Sequence, residues 1–345
     1  MIRQPIVALV GHIDHGKSSI LEKIKGISIT KGEAGGITQS LKSYPIPFSA
    51  LEQFCGPLLQ TLSFKITIPG LLFLDTPGHA AFNTMRKRGG NLADIAIVVI
   101  DCHQGIQEQT LESIAILRHY KTPFIIALNK VDLLEGWRTQ KNALLQTITS
   151  QRESTQQALD HILYTVVAKL SELGFQAERF DRISDYTNQV AIVPVSAKTG
   201  EGLPELLLVL IGLAQKYLEK KLQIVVQGPG KGTVLEVKEE SGLGMILDVV
   251  LYDGSLHVND TIVVGTLDKP LVTKVRALFE QEQRGEKLKP VKDAHAACGV
   301  RVIAPNLEGA VGGMPIRVAE GNVDHIVKEV AEEISAEVET TPVEA

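Results

Sequence analysis

One stretch near the start of the chain limits the possible fold more than any other. Residues 11–18 read GHIDHGKS, which fits the pattern G-x-x-x-x-G-K-[ST], and they directly follow the apolar run Ile6–Val10. The apolar run predicts a buried strand, and the periodicity of residues 19–24 predicts a helix. Between a strand and a helix, such glycines let backbone N–H groups surround phosphates, and the helix N-terminus attracts negative charge. We therefore predict a phosphate-binding loop here.

Two neighbouring side chains at the end of the predicted loop have distinct roles. Lys17 can reach the β- and γ-phosphates of a nucleotide, and the Ser18 hydroxyl can bind Mg²⁺. The residues expected to contact the nucleotide are Gly11, His12, Ile13, Asp14, His15, Gly16, Lys17, Ser18 and Ser19.

Composition sets outer limits on the function. A chain of 345 residues has room for about two to three domains, and its net charge of −5 excludes a globally basic nucleic-acid binder but not a local patch. Three scattered cysteines argue for a reducing compartment. Met1 leads straight into the first strand, which leaves no room for a signal peptide, and apolar runs of about eight to ten residues are too short to cross a bilayer. A cytoplasmic protein without membrane contact is expected.

The first two thirds of the chain alternate apolar runs with helical periodicity. This alternation predicts a three-layer α/β domain with a mostly parallel sheet over residues 1–222. Helices are predicted at Gln107–His119 and Leu203–Lys220. The predicted strands are Ile6–Val10, Leu71–Leu74, Ile95–Ile100, Phe124–Leu128 and Ala191–Val195.

Two later regions break this rhythm. Residues 135–188 are polar around a helical stretch that stops at Gly174, and they predict a helical insertion that packs on the domain rather than binding a partner. From residue 223 to about 320, short runs separated by turn residues predict an all-β domain, a small barrel. Its predicted strands include Gly244–Leu251 and one strand over Leu271–Leu278. Residues 321–345 are expected to begin a linker helix and then form an acidic tail from Glu337.

Polar residues that follow the later strands point to a guanine base. Asp132 can accept paired hydrogen bonds from N1 and N2 of guanine, a donor pair that adenine lacks. Asn129 would tie this loop to the phosphate loop, and the stem of Lys130 would cover one face of the base. After the last strand, a backbone N–H of the segment Ser196, Ala197 and Lys198 could meet guanine O6, with Lys198 stacked over the ring. The order of these motifs along the chain predicts GTP binding.

Two further segments carry the expected hydrolytic chemistry. Asp75 follows a strand and can hold Mg²⁺ through water, and the backbone N–H of Gly78 can approach the γ-phosphate. Thr38 lies in a glycine-containing loop and is the candidate second protein ligand of Mg²⁺. His79 follows the second segment and is the candidate to orient the attacking water. Lys17, Thr38 and His79 are therefore the predicted catalytic residues.

Asp14 is unusual because it places a carboxylate inside an anion-binding loop. This placement is unfavourable unless a cation lies beside it, so Asp14 is predicted to help bind a cation next to the phosphates. His12 and His15 have a spacing that suggests a metal site. We expect instead that their backbone serves the phosphates and that their side chains point outward.

These motifs resemble those of translational GTPases. Within that group, the sequences GGITQ at 35–39 and DTPGHAAFNTMRKR at 75–88 resemble the family of translation initiation factor 5B, the counterpart of bacterial initiation factor two. The resemblance implies a ribosome-dependent GTPase that promotes joining of the ribosomal subunits and works as a monomer. It implies that His79 is the activating histidine, that Ser18, Thr38 and Asp75 serve Mg²⁺, and that Asp14 and the Gly36 carbonyl hold Na⁺ or K⁺. In the family, initiator methionyl-tRNA is held by C-terminal domains, so this chain is expected to be an N-terminal fragment without that contact.

Two alternatives remain open from the sequence. The chain could be a nucleotide-switched module that docks on the ribosome with little hydrolysis of its own. It could also be a specialised GTPase of the elongation-factor type, because that class shares the GTP-binding domain.

Overall fold

The chain forms two large β-sheets, one mostly parallel and one antiparallel. The computed structural model describes residues 2–28, 43–62, 65–74, 93–219, 222–223, 228–240, 242, 244–281 and 288–340. The two sheets confirm the predicted order of an α/β domain followed by an all-β domain. Within the described ranges, no helix combines the length and the apolar character needed to cross a bilayer.

The first sheet has seven strands in the order β2-β3-β1-β4-β5-β7-β6. Its strands pair in parallel except β2, which runs antiparallel to β3. The strands are β1 (Ile6–Gly11), β2 (Ser43–Pro47), β3 (Gly70–Leu74), β4 (Ile95–Asp101), β5 (Phe124–Asn129), β6 (Gln176–Arg179) and β7 (Gln189–Pro194). The helices are α1 (Lys17–Ser28), α2 (Phe48–Cys55), α3 (Glu108–His119), α4 (Leu144–Thr149), α5 (Glu153–Glu172) and α6 (Leu203–Tyr217), with short 3₁₀ helices at Gly56–Thr61 and Val131–Leu133.

Burial explains why these strands form the centre. Every residue of β1, β3, β4 and β5 is buried, as expected for parallel strands covered on both faces. Phe73 and Ile97 are both 0 % exposed in the core. The carboxyl ends of β1, β4 and β5 meet at one edge of the sheet, which is where ligands of such folds bind.

The region 135–188 is not wholly helical, so the prediction of a helical insertion needs correction. Helix α5 lies inside it, and Gly174 adopts a φ of 82° just after the helix, as a stop residue should. The same region also contains β6, which pairs in parallel with β7 and forms the edge of the sheet. Because β6 is short and carries polar residues at an edge, it has no apolar run that could have revealed it.

The second sheet orders its strands as β12-β11-β17-β8-β9-β16-β13-β14, and β10 pairs separately with β15. The strands are β8 (Lys231–Glu240), β9 (Gly244–Asp253), β10 (Ser255–His257), β11 (Thr261–Val264), β12 (Leu271–Lys274), β13 (Ala277–Gln281), β14 (Leu288–Val291), β15 (Asp293–His295), β16 (Cys298–Ile303) and β17 (Pro315–Val318). The predicted strand Leu271–Leu278 is in fact two strands, because the N–H of Val275 turns away to bond the Asp260 carbonyl at 2.9 Å. The closed barrel stays a prediction.

A last helix, α7 (Val323–Thr340), packs on this second sheet. The guanidinium of Arg317 donates to both carboxylate oxygens of Glu333, and Val330 is fully buried. The helix extends to Thr340, so the first residues of the predicted acidic tail are helical. The remaining residues of that tail lie outside the described ranges.

Candidate nucleotide-binding site

The predicted phosphate loop connects the end of β1 to the start of α1, as the sequence indicated. Its backbone adopts positive φ at three positions, 134° at Gly11, 62° at Asp14 and 93° at Gly16. Glycine adopts such angles without steric cost, whereas Asp14 is an uncommon case of a side-chain-bearing residue in the left-handed region. The loop therefore curls in the way that a phosphate-binding loop requires.

At two of these positions, close neighbouring atoms as well as the backbone angles require glycine. A Cβ atom on Gly11 would lie 2.4 Å from the carbonyl oxygen of Val99 in β4. A Cβ atom on Gly16 would lie 2.2 Å from the side-chain nitrogen of Asn129 at the end of β5. Both distances are far below van der Waals contact, so any side chain at either position would displace the loop from the sheet.

The side chain of Lys17 folds back onto the loop itself. Its ammonium donates to the carbonyl oxygens of Gly11 at 2.9 Å and His12 at 2.5 Å. Burial lowers the pKa of Lys17, and the nearby carboxylate of Asp14 opposes that shift. The charge is thus held at the opening of the loop, where a phosphate would lie.

The outward orientation predicted for His15 is wrong. Its side chain is 0 % exposed and lies against β4, where Nδ1 accepts a hydrogen bond from the N–H of Asp101 at 3.2 Å. Nδ1 also lies 3.3 Å from the carbonyl oxygen of Val99, which accepts from the other tautomer of the ring. Burial lowers the pKa of His15, and the ring of His12, 5.0 Å away, acts in the same direction. The sequence interpretation failed because it assigned only the backbone of this residue a role.

Asn129 joins three loops of the site. It is 1 % exposed, its amide donates to the carbonyl of His15 at 2.8 Å, and its side-chain oxygen accepts from the N–H of Ala197 at 3.0 Å. The phosphate loop, the loop after β5 and the loop after β7 are therefore held together by one side chain. This geometry agrees with the tie that the sequence predicted.

Asp132, the predicted base reader, is oriented from the loop after β7. The Ser196 hydroxyl donates to Asp132 Oδ1 at 2.6 Å, and Ser196 itself is fully buried. Ser196 Oγ in turn accepts from the N–H of Thr199 at 3.1 Å. The carboxylate is half-buried and directed by a donor that cannot move away.

Lys130 is fixed by an acidic residue that the sequence analysis did not single out. Its backbone takes a φ of 68°, and its ammonium lies 2.7 Å from Asp101 Oδ2 at the end of β4. Burial raises the pKa of Asp101, but the hydrogen bonds from Lys130 and from the N–H of His103 outweigh it, so the net shift is downward. Its position at the carboxyl end of a central strand was the signal that could have identified Asp101.

The other predicted residues fall into two groups. Ile13, Asp14, Ser18, Ser19 and Lys198 are exposed at the open side of the site, and the carbonyl of Lys198 accepts from the ammonium of Lys23 of α1 at 3.3 Å. The predicted residues that lie outside the described ranges are Gly36, Thr38, Asp75, Gly78 and His79.

Several known proteins are similar to this chain. It is 50% identical over 341 residues to a probable translation initiation factor IF-2 of Methanopyrus kandleri, covering 96% of the chain and 57% of that protein. A protein of the same name from Thermococcus sibiricus is 47% identical over 349 residues, covering 99% and 58%. The chain thus spans little more than half the length of these relatives. Their names confirm the resemblance to the initiation factor family.

Solved structures agree with the fold. The crystal structure of GDP-bound aIF5B from Aeropyrum pernix superimposes with a TM-score of 0.88 at 43% identity, covering 97% of this chain and 57% of that one. The elongation factor SelB from Methanococcus maripaludis gives a TM-score of 0.54 at 18% identity over 92% of this chain and 55% of its own, which shows the shared fold alone.

The chain also matches the model of a protein family. Residues 3–216 match the model of the elongation factor Tu GTP binding domain, and this match covers the phosphate loop, the loop after β5 and the loop after β7. Because more than half of the chain matches, the chain belongs to the family of elongation factor Tu GTP binding domains.

Proposed function

We propose that this protein is a GTPase of translation initiation. The observation that carries the proposal is the junction made by Asn129, which brings the loop of Lys17 and the loop of Asp132 to one edge of the sheet. We assign Lys17 to the phosphates and the carboxylate of Asp132 to N1 and N2 of guanine in this one site. The substrate is GTP and the products are GDP and phosphate.

At the phosphate end, the chain's residues bind and orient the nucleotide. Backbone N–H groups of residues 11–18 surround the β-phosphate, and Lys17 exchanges its carbonyl partners for phosphate oxygens. The hydroxyl of Ser18, exposed at the N-terminus of α1, fits Mg²⁺, which neutralises charge between the β- and γ-phosphates when bound. We assign Thr38 and Asp75 as its further ligands and His79 as the residue that orients the attacking water.

The role in initiation rests on the relatives. Proteins named translation initiation factor IF-2 align over almost the whole chain, so we propose the ribosome as partner, subunit joining as the step served and the cytoplasm as the location. Contact with initiator methionyl-tRNA is assigned to the part of such proteins that this chain does not span. We also propose the division into residues 1–222, 223–320 and 321–345, and a monomeric state.

The base specificity of an Asp132 variant tests the proposed guanine site. Asp132→Asn should weaken GDP binding by about 2–4 kcal/mol, or roughly 30- to 1000-fold, because the amide cannot accept both guanine hydrogen bonds. Xanthosine diphosphate has an oxygen in place of the N2 amine, so its affinity should rise. Calorimetric titration with GDP and with xanthosine diphosphate measures the two affinities. Asp160→Asn, a half-buried carboxylate on α5 that pairs with Arg179 and Arg182, is the control, and unchanged GDP affinity in Asp132→Asn would contradict the proposal.

Hydrolysis should be slow for the protein alone and faster with ribosomes. His79→Ala should reduce the stimulated rate by at least about 100-fold, the scale on which a positioned acid–base group acts, and leave GTP affinity unchanged. Phosphate release with and without archaeal ribosomes measures the unstimulated and the stimulated rate. If ribosomes bind the protein but do not stimulate hydrolysis, the chain is a docking module and the enzymatic proposal fails.

Asp14 supports a proposal for a second cation. Its exposed carboxylate lies close enough to Lys17 to oppose the lowering of the lysine pKa, and we assign it, with the Gly36 carbonyl, to a Na⁺ or K⁺ ion beside the phosphates. Hydrolysis should therefore be faster in Na⁺ or K⁺ than in a bulky organic cation, and Asp14→Ala should remove the difference. An equal dependence on cation in both proteins would rule this role out.

The buried His15 predicts a pH dependence for the phosphate loop. Because its pKa is lowered in the folded state, the unfolded chain binds a proton more readily, so the stability that neutral His15 contributes is present above pH 6.5 and is lost as pH falls below it. His15→Asn retains an acceptor for the Asp101 N–H but does not titrate. Urea unfolding between pH 8 and 5.5 should show a larger loss in the wild type than in this variant, whereas parallel curves would contradict the prediction.

A further inference from the structure

The carboxylate of Glu201 lies between the base-reading loop and a segment that precedes α4. Glu201 is only 8 % exposed. Its Oε2 accepts from the Thr199 hydroxyl at 2.7 Å and from the Trp137 indole N–H at 3.4 Å, and its Oε1 accepts from the N–H of Gln140 at 3.0 Å. A buried carboxylate with donors on both sides holds the two segments in a fixed relation.

A continuous series of hydrogen bonds leads from Glu201 to Asp132. Glu201 holds the side chain of Thr199, the N–H of Thr199 donates to Ser196 Oγ, and Ser196 Oγ–H donates to Asp132 Oδ1. The main chain adds a second tie, because the N–H of Ser196 donates to the carbonyl of Glu201 at 2.9 Å. The orientation of the base-reading carboxylate therefore depends on where Glu201 is held.

The segment on the far side of Glu201 is itself well anchored. The side chain of Gln151 accepts from the N–H of Arg138 and donates to its carbonyl, both at 2.8 Å. In the first turn of α6, Glu205 accepts from the N–H of Leu144 at 2.6 Å. Glu201 and Glu205 both bind backbone of this segment, but only Glu201 also touches the base-reading loop through Thr199.

We propose that Glu201 is a positioning residue for guanine recognition and that Trp137 senses through it whether the base pocket is filled. The inference rests on the proposed GTP-binding function. A base that hydrogen-bonds Asp132 tightens the Ser196–Thr199 turn, and the shared carboxylate passes that change to the indole. Since Trp137 is the single tryptophan of the chain, all tryptophan fluorescence comes from this residue.

The decisive measurement is a ratio of affinities. Inosine diphosphate has the phosphates, ribose and N1–H of GDP but lacks the N2 amine, so the ratio of its Kd to that of GDP isolates the hydrogen bond from the N2 amine to Asp132. In the wild type this ratio should be about tenfold. E201A should lower it towards one, and E201Q, which keeps one acceptor oxygen, should give an intermediate value.

The matched control is Glu205, a second buried glutamate, which lies in the first turn of α6 just after Glu201. Burial raises the pKa of Glu205, and the hydrogen bond from Leu144 partly offsets that shift. E205A and E205Q should lower thermal stability but leave the ratio at its wild-type value, because Glu205 has no place in the series that leads to Asp132. If E201A does not fold, the comparison of E201Q with E205Q carries the same test.

Fluorescence provides the second readout. Saturating GDP should change Trp137 emission in the wild type and in E205Q, and the change should be largely lost in E201A and reduced in E201Q. An unchanged affinity ratio in E201A and E201Q, or a Trp137 signal as large in them as in the wild type, would overturn the inference. Failure of the proposed function gives a different result, namely a wild-type protein that binds neither nucleotide in the calorimeter.

Discussion

The hydrogen bonds of Asn129 are the constraint on which the rest of the nucleotide site depends. One buried amide fixes the carbonyl of His15 in the phosphate loop and the N–H of Ala197 in the loop after β7. The close approach is possible only because Gly16 has no side chain in its path. A buried amide must satisfy its donors and its acceptor, so the two loops are held together at one edge of the sheet.

Strand β4 adds a second connection between the two ends of the site. The N–H of Asp101 donates to the buried ring of His15, while its carboxylate binds the ammonium of Lys130. One residue therefore supports the phosphate loop from below and sets the direction of the side chain expected to cover the base. Burial lowers the pKa of His15, whereas the hydrogen bonds from Lys130 and from the N–H of His103 lower the pKa of Asp101 against the opposing effect of burial.

The sequence predicted the central strands and the order of the site loops well, because β1, β4 and β5 are buried on both faces and leave continuous apolar runs. It missed β6, whose four residues pair with β7 but include no apolar run. The orientation of His15 was wrong because a motif defines the path of the backbone, whereas the direction of a side chain is set by neighbours distant in sequence, here Val99 and Asp101. Glu201 was missed for the same reason.

The base recognition proposed for Asp132 depends on order that exists before a ligand arrives. An exposed carboxylate would lose rotational freedom when it bound guanine, and that loss would weaken binding. Asp132 is already oriented by the Ser196 hydroxyl, and Ser196 is buried and held by the turn that Thr199 and Glu201 form. Since this ordering is completed during folding, the hydrogen bonds to the base can contribute more fully to the difference between guanine and other bases. The role proposed for buried Glu201 is therefore discrimination between bases, whereas buried Glu205 contributes to stability alone.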